Sequence, residues 1–172
     1  MYFKIRIIVL FFLCTFFLSA CGYRFAGSGN FPAGVESIYI EVFENRSSQI
    51  GIERIVTSQV LFEFTRQRER SLTSSPDQAD AILKGVIVRI NTQTISRIGT
   101  AIANEREVIM TVDLRLIKQS GEVIWAAKGL SDRQAYDVEV DKIETDENLD
   151  KAIAVLSERM SERIFSRLTD DF

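Results

Sequence analysis

Five apolar side chains on alternate positions, Val108, Met110, Val112, Leu114 and Leu116, limit the folds open to this chain more than any other feature. A period of two puts all five on one face of a strand. The opposite face carries Thr111, Asp113 and Arg115 between Ile109 and Ile117. A strand patterned this way belongs to a sheet with one face on a core and the other in polar surroundings. Gln119-Ser120-Gly121-Glu122 supplies a hairpin turn into a further strand, Val123 to Leu130, where Trp125 reads as a core or edge anchor. Ala81 to Ile95 is rich in β-branched residues and reads as a strand. So does Val35 to Phe43, with Ile38, Ile40 and Val42 on one face and Tyr39, Glu41 and Phe43 on the other.

Two segments of helical period can cover such a sheet. From Ile50 to about Arg70, Ile52, Ile55, Val56, Val60 and Phe64 share a broad apolar arc with Phe62 at its edge. Arg66, Arg68 and Arg70 suit the negative pole of that helix, and Ser71 to Gln78, with Pro76, ends it. From about Asp146 to Leu168, a single stripe holds Leu149, Ile153, Leu156, Met160, Ile164 and Leu168. Asp146, Glu147 and Asp150 lie at its positive end. The order β-α-β-β-β-α predicts an α+β two-layer sandwich, two helices on one face of a four-stranded mixed sheet. The first β-α-β step is expected to cross over right-handed, with the later strands antiparallel.

The N-terminus reads as an export signal over residues 1–20. Lys4 and Arg6 precede the apolar run Ile7 to Leu18, and small Ser19 and Ala20 follow. A membrane-spanning helix needs about 20 apolar residues, more than this run has. Leu18-Ser19-Ala20-Cys21 resembles a bacterial lipobox, which makes Cys21 the lipid-attachment site, with diacylglycerol on its sulfur and a further acyl chain on the new amine. One acyl chain binds a membrane marginally and two anchor stably, so this set is expected to tether the protein permanently. Cys14 would leave with the signal, so no disulfide framework or CxxC site is expected. Gly22, in place of the Asp associated with inner-membrane retention, favours the outer membrane of a Gram-negative bacterium. Residues 21–34 read as the lipidated end and a tether containing Gly27-Ser28-Gly29-Asn30, and residues 35–172 as the folded domain.

Little in the chain carries catalytic chemistry. It contains no histidine, which removes the commonest general base and metal ligand. Neither a G-x-S-x-G elbow nor a P-loop is present, and Gly27-x-Gly29 has no preceding strand. Asp137-x-Glu139-x-Asp141 has the spacing of a calcium loop, but its sixth position is Lys142 instead of Gly and its twelfth Asn148 instead of Glu. The acidic run from Asp137 to Asp150 therefore reads as a solvated linker and helix start. Removing Lys4 and Arg6 from the 21 basic residues leaves 19 against 24 acidic ones, a net charge near −5. Nucleic acid is a poor partner for such a chain. Neither enzymatic activity, a cofactor nor a metal is expected.

Cys21-Gly22-Tyr23-Arg24-Phe25, "PAGVESIYIEVFENRSSQIGIERIVTSQVLFEF", "ADAILKGVIV", "EVIMTVDLRLI" and "DKAIAVLSERMSERIFSRL" together resemble the LptE family of lipopolysaccharide-assembly lipoproteins. That resemblance implies two helices on a four-stranded sheet, seated inside the outer-membrane β-barrel protein LptD. It also implies help in assembling that barrel, contact with lipopolysaccharide, and a joint role inserting lipopolysaccharide into the outer leaflet. Within this frame Arg97 and Arg106, at the ends of the segment 96–106 read as a loop, are the expected partners of lipid phosphates, with Ile98 and Ile102 near acyl chains. Lys118 is a further candidate. Thr111 and Arg115, on the helix-free face, are expected to meet the barrel wall. Taken as a sphere, the domain is roughly 36 Å across, too wide for a 16-stranded barrel and suited to one of roughly 24–26 strands. "IYIEVFENRS" and "ADAILKGVIV" also resemble the lipoproteins of curli-secretion pores and cell-wall-synthase activators, which would mean secretion or peptidoglycan synthesis instead.

Overall fold

The computed structural model describes residues 31–68, 71–98 and 102–170. The signal segment, Cys21 and Arg70 lie outside them. In chain order the elements are β1 (Ile38–Ile40), β2 (Glu44–Asn45), α1 (Ile52–Arg68), β3 (Ala81–Ile98), β4 (Ile102–Lys118), β5 (Val123–Asp137) and α2 (Lys142–Asp170). Short 3-10 turns occupy Pro32–Gly34 and Pro76–Gln78. The sheet order is β1-β3-β4-β5, with β2 beside β3 farther along the same edge. β1 and β2 run parallel to β3, and the other pairings are antiparallel. This is the expected two-layer α+β sandwich, with one small strand added.

Its core forms where the sequence periodicities meet. Val108, Met110, Val112, Leu114 and Leu116 of β4 are all buried, as are Ile52, Val56, Val60 and Phe64 of α1. The α2 stripe Ile153, Leu156, Met160, Ile164 and Leu168 joins them in one cluster. Of the α1 arc, Ile55 and Phe62 are instead exposed. The packed region begins earlier than the tether reading placed it. Phe31 is buried, stacks on Phe64 at 6.4 Å between centroids, and carries the Arg68 guanidinium 5.4 Å over its ring.

The strand predicted from Val35 to Phe43 is broken in two, for a reason that lies elsewhere in the chain. Phe43 N–H donates to Thr57 Oγ1 of α1 at 3.0 Å, so it leaves the ladder, which resumes where Arg46 N–H reaches Ile87 O. The Phe43 ring then lies over Gly85, occupying the space a Cβ at that residue would need. Farther along, a bulge at Val88 shifts the β3 register from Ile87–Val112 to Arg89–Thr111. Leu83 and Ile87 face the helices before it and Ile90 after it, so the extra residue keeps β3 apolar toward the core.

β3, β4 and β5 are all longer than predicted. β3 continues to Ile98, β4 begins at Ile102 instead of Val108, and β5 runs to Asp137 instead of Leu130. α2 starts at Lys142, where Asp141 Oδ1 accepts from Ile143 N–H at 2.8 Å and Lys142 pairs with Asp146. The acidic run thus ends one strand, makes a turn and opens a helix.

Candidate functional site

Residues 96–98 and 102–106 are strand, the ends of β3 and β4, which corrects the reading of this segment as a loop. Only residues 99–101 connect the two strands, and Ile98 and Ile102 form the last register pair before that connection. Arg97 sits in register with Ala103. Arg106 lies deeper in the sheet, between Thr94 on β3 and Tyr136 on β5, half-buried and in phase with core-facing Val108. Lys118 pairs with Ala81 at the opposite end of the same hairpin. Twelve positions along β4 separate it from Arg106, roughly 40 Å. Its Nζ is 3.4 Å from Glu122 Oε2. Arg97, Arg106 and Lys118 are therefore not brought into one site.

Several polar groups of the helix-free face pair with one another. Gln93 Nε2 donates to Glu107 Oε1, and Arg133 Nη1 lies 3.8 Å from the same carboxylate oxygen. Asp113 Oδ1 accepts from Gly129 N–H at 2.7 Å. Lys84 pairs with Glu41 at 2.9 Å, and Arg46 grips Glu44 through Nε at 2.8 Å and Nη2 at 3.2 Å. The hydrogen bond from Arg46 holds the Glu44 carboxyl below its usual range, with smaller help from the charges of Arg46 and Arg115. Arg115 is exposed on this face. Thr111 shares it but is only 7% exposed, flanked in register by Arg89 and Ser131, with its hydroxyl 3.3 Å from Ser131 Oγ. Of the two, Arg115 is the one open to contact.

Sequence reading passed over a row of arginines on α2, Arg159, Arg163 and Arg167, set beside β5. The available signal was their spacing of four, which places them on one helical face. Among the described residues no group of three or more acidic or thiol side chains is arranged to hold a metal. No described helix is long and apolar enough to cross a membrane.

Comparison with known proteins accords with this fold. Residues 35–168 match the family model described as "LptE: Lipopolysaccharide-assembly". No curated protein matches the sequence. Among solved structures, uncharacterized lipoprotein B from Nitrosomonas europaea superposes with a TM-score of 0.59 at 11% identity, over 78% of this chain and 83% of that one. A minor lipoprotein from Acinetobacter baumannii gives 0.53 at 11% identity, covering 80% and 93%. Rare lipoprotein B from Shewanella oneidensis gives 0.51 at 15% identity, covering 73% and 91%. At these identities the structures speak for the fold, while the family match spans most of the chain. This chain belongs to the LptE family of lipopolysaccharide-assembly lipoproteins.

Proposed function

We propose that this lipoprotein is anchored by acyl chains on Cys21 in the outer membrane and occupies the lumen of an LptD-type β-barrel. There it assists barrel assembly and forms with it the translocon that inserts lipopolysaccharide into the outer leaflet. The family match over residues 35–168 carries this reading. The sheet supports it physically. One face is sealed by helices, and the other presents a charged, internally paired surface suited to the polar wall of a barrel.

Shape changes the size argument made from sequence. The four main strands are roughly 19 Å across, and the two layers together are roughly 20–25 Å thick. β3, with 18 residues, is roughly 60 Å long. An elongated plug lying along a barrel axis needs a narrower lumen than a sphere of the same mass. The chain enters the packed region at Phe31, near the end of the sheet where β1 begins. Ten residues separate Phe31 from Cys21, at most about 35 Å of chain. That end is thus tied to the lipid, and the hairpin tip with Arg97 lies at the far end. Arg97 and Arg106 on this reading serve lipopolysaccharide phosphates near the tip, and Lys118 serves at the base.

A photo-crosslinking residue tests the arrangement. Placed at Arg115 in the full chain, it is expected to trap the barrel, and placed at Leu114 it is expected to trap nothing. Equal trapping from both positions, or a trapped protein other than a large barrel, rejects the proposal.

A further inference from the structure

The two edges of the sheet are finished differently. On the β5 edge, side chains of α2 take up outward carbonyls. Arg159 Nη2 donates to Arg133 O, and Arg163 Nη1 donates to Ser131 O at 2.8 Å. Asp132 holds both guanidinium groups in place, 3.3 Å from Arg159 Nε and 3.6 Å from Arg163 Nη1. A strand arriving at this stretch of β5 has to displace them.

The other edge is covered only in part. β1 pairs with β3 from Ala81 to Leu83, and β2 pairs with it at Val86 and Ile87. Among the described residues no strand pairs with that side of β3 from Val88 to Ile98. Leu83 O and Ile87 O point to this edge, where they accept from Glu41 N–H and Arg46 N–H. Past the bulge at Val88 the same phase passes to Ile90, Thr92 and Thr94. Asn91, Thr92, Gln93 and Ile95 are exposed, so neither helix shelters this stretch. Edge strands are commonly guarded by charge or proline, yet Ile90 to Ser96 contains no charged residue, proline or glycine.

We propose that this open edge of β3 pairs antiparallel with the same edge of a second copy of the chain, continuing the sheet across a two-fold axis. Charge complementarity favours a second copy over a foreign strand. Antiparallel pairing brings the Arg89 end of one edge beside the Ser96 end of the other, and Ser96 is in register with Glu105 of β4. Arg89 lies opposite Thr111 and Glu105 two positions from Glu107, so both belong to the helix-free face. Neither forms an ion pair among the described residues. The two-fold axis makes this contact twice. It does so in a chain whose acidic excess otherwise opposes self-association. The guarded β5 edge sets the number of copies. With one open edge per chain, pairing closes at two and builds no fibre. This goes beyond the function proposed above. Two joined sheets are roughly twice the width of one, so the pair is the form of the chain outside a barrel.

The full chain is purified in neutral detergent, with micelles in excess over protein. A photo-crosslinking residue at Thr92 is expected to trap a second copy through its segment 88–98. The same residue at Lys128, exposed on β5, is expected to trap none. Equal trapping from both positions is random encounter and overturns the pairing. Sedimentation over a dilution series then reads the affinity. Arg89→Glu and Glu105→Arg are each expected to weaken the dimer about tenfold, and the combined variant to recover most of that loss. Thr92→Lys/Thr94→Lys is expected to be monomeric with an unchanged circular dichroism spectrum, since it places like charges across the two-fold axis. A parent that is monomeric at every concentration overturns the proposal. So does a lysine variant that dimerises as tightly as the parent, or a combined charge variant no tighter than either single one.

Discussion

At the head of β3, Asp80 Oδ2 accepts hydrogen bonds from Glu36 N–H at 3.1 Å, Ser37 N–H at 2.9 Å and Ser37 Oγ at 2.9 Å. Asp80 N–H in turn donates to Ser37 O at 3.1 Å. One exposed carboxylate thereby joins the segment entering β1 to the start of the central hairpin. Hydrogen bonds from the Ser37 backbone, then the Ser37 hydroxyl, then the Glu36 backbone hold the Asp80 carboxyl below its ordinary range. A lowered folded-state value means stabilisation that is complete above the unfolded value, about 3.9, and lost as pH falls through the folded one. Asp80→Asn is therefore expected to be less stable than the parent at pH 7, with the gap closing under more acid conditions. Urea midpoints of both proteins from pH 7 down to pH 3 check this, and a gap that stays constant removes the carboxylate's role. Nothing in the sequence near Asp80 marked it, because its partners are 43 and 44 residues away.

Among the elements, the junction of β1, β2 and α1 depends on one absent side chain. Gly85 lets the buried Phe43 ring lie against the β3 backbone, while Thr57 Oγ1 takes the Phe43 N–H and donates to Glu53 O at 2.6 Å. Gly85→Ala forces a methyl group into that ring, and overpacking of this kind costs about 1–3 kcal/mol. The variant is expected to unfold at lower urea by that amount, and Phe43→Leu in the same chain is expected to recover part of it. A double variant no more stable than Gly85→Ala alone dismisses the ring contact as the cause. A glycine inside a β-branched strand was a visible sign of close approach, but which residue approaches depends on the tertiary fold. The full extent of the hairpin was equally hidden. Beyond Val108 the alternation of apolar residues gives way to Glu105, Arg106 and Glu107, whose positions in the ladder are held by pairing with Gln93, Thr94 and the end of β5.

At the scale of the whole molecule, the described residues form two long layers, and the proposed function ties them to the lipid phase through Cys21. No described helix is long and apolar enough to cross a membrane, and the described core is built from Phe31 onward. Cys21→Ser is expected to abolish lipid labelling and leave the chain uncleaved before residue 21, since serine offers no thiolate to the acylating enzyme. Mass spectrometry and membrane fractionation check this, and an unchanged mature mass rejects the lipoprotein reading of residues 18–21. The elongated form also bears on partnership. In the proposed complex a plug roughly 20–25 Å thick would meet a barrel wall along its length, so the helix-free face, with Arg115, Lys84 and Arg46, is the surface on which charge reversal is expected to act most strongly.

The sequence by itself determined the fold class, the order of the main elements and the faces that form the core. Those follow from periodicity, which local residue spacing records directly, as with Val108 to Leu116 and the stripe of α2. Family membership was legible for the same reason, in the order and spacing of these patterned segments. Only the tertiary structure decided that Arg97 and Arg106 belong to a ladder and not a loop, that Lys118 stands at the other end of it, and that Thr111 is covered. It alone brought Arg133 of β5 beside Arg163 of α2, thirty positions farther along the chain. Periodicity assigns a side chain to a face. Its neighbours across strands and between layers depend on register, bulges and helix packing, which are set by contacts between residues far apart in sequence.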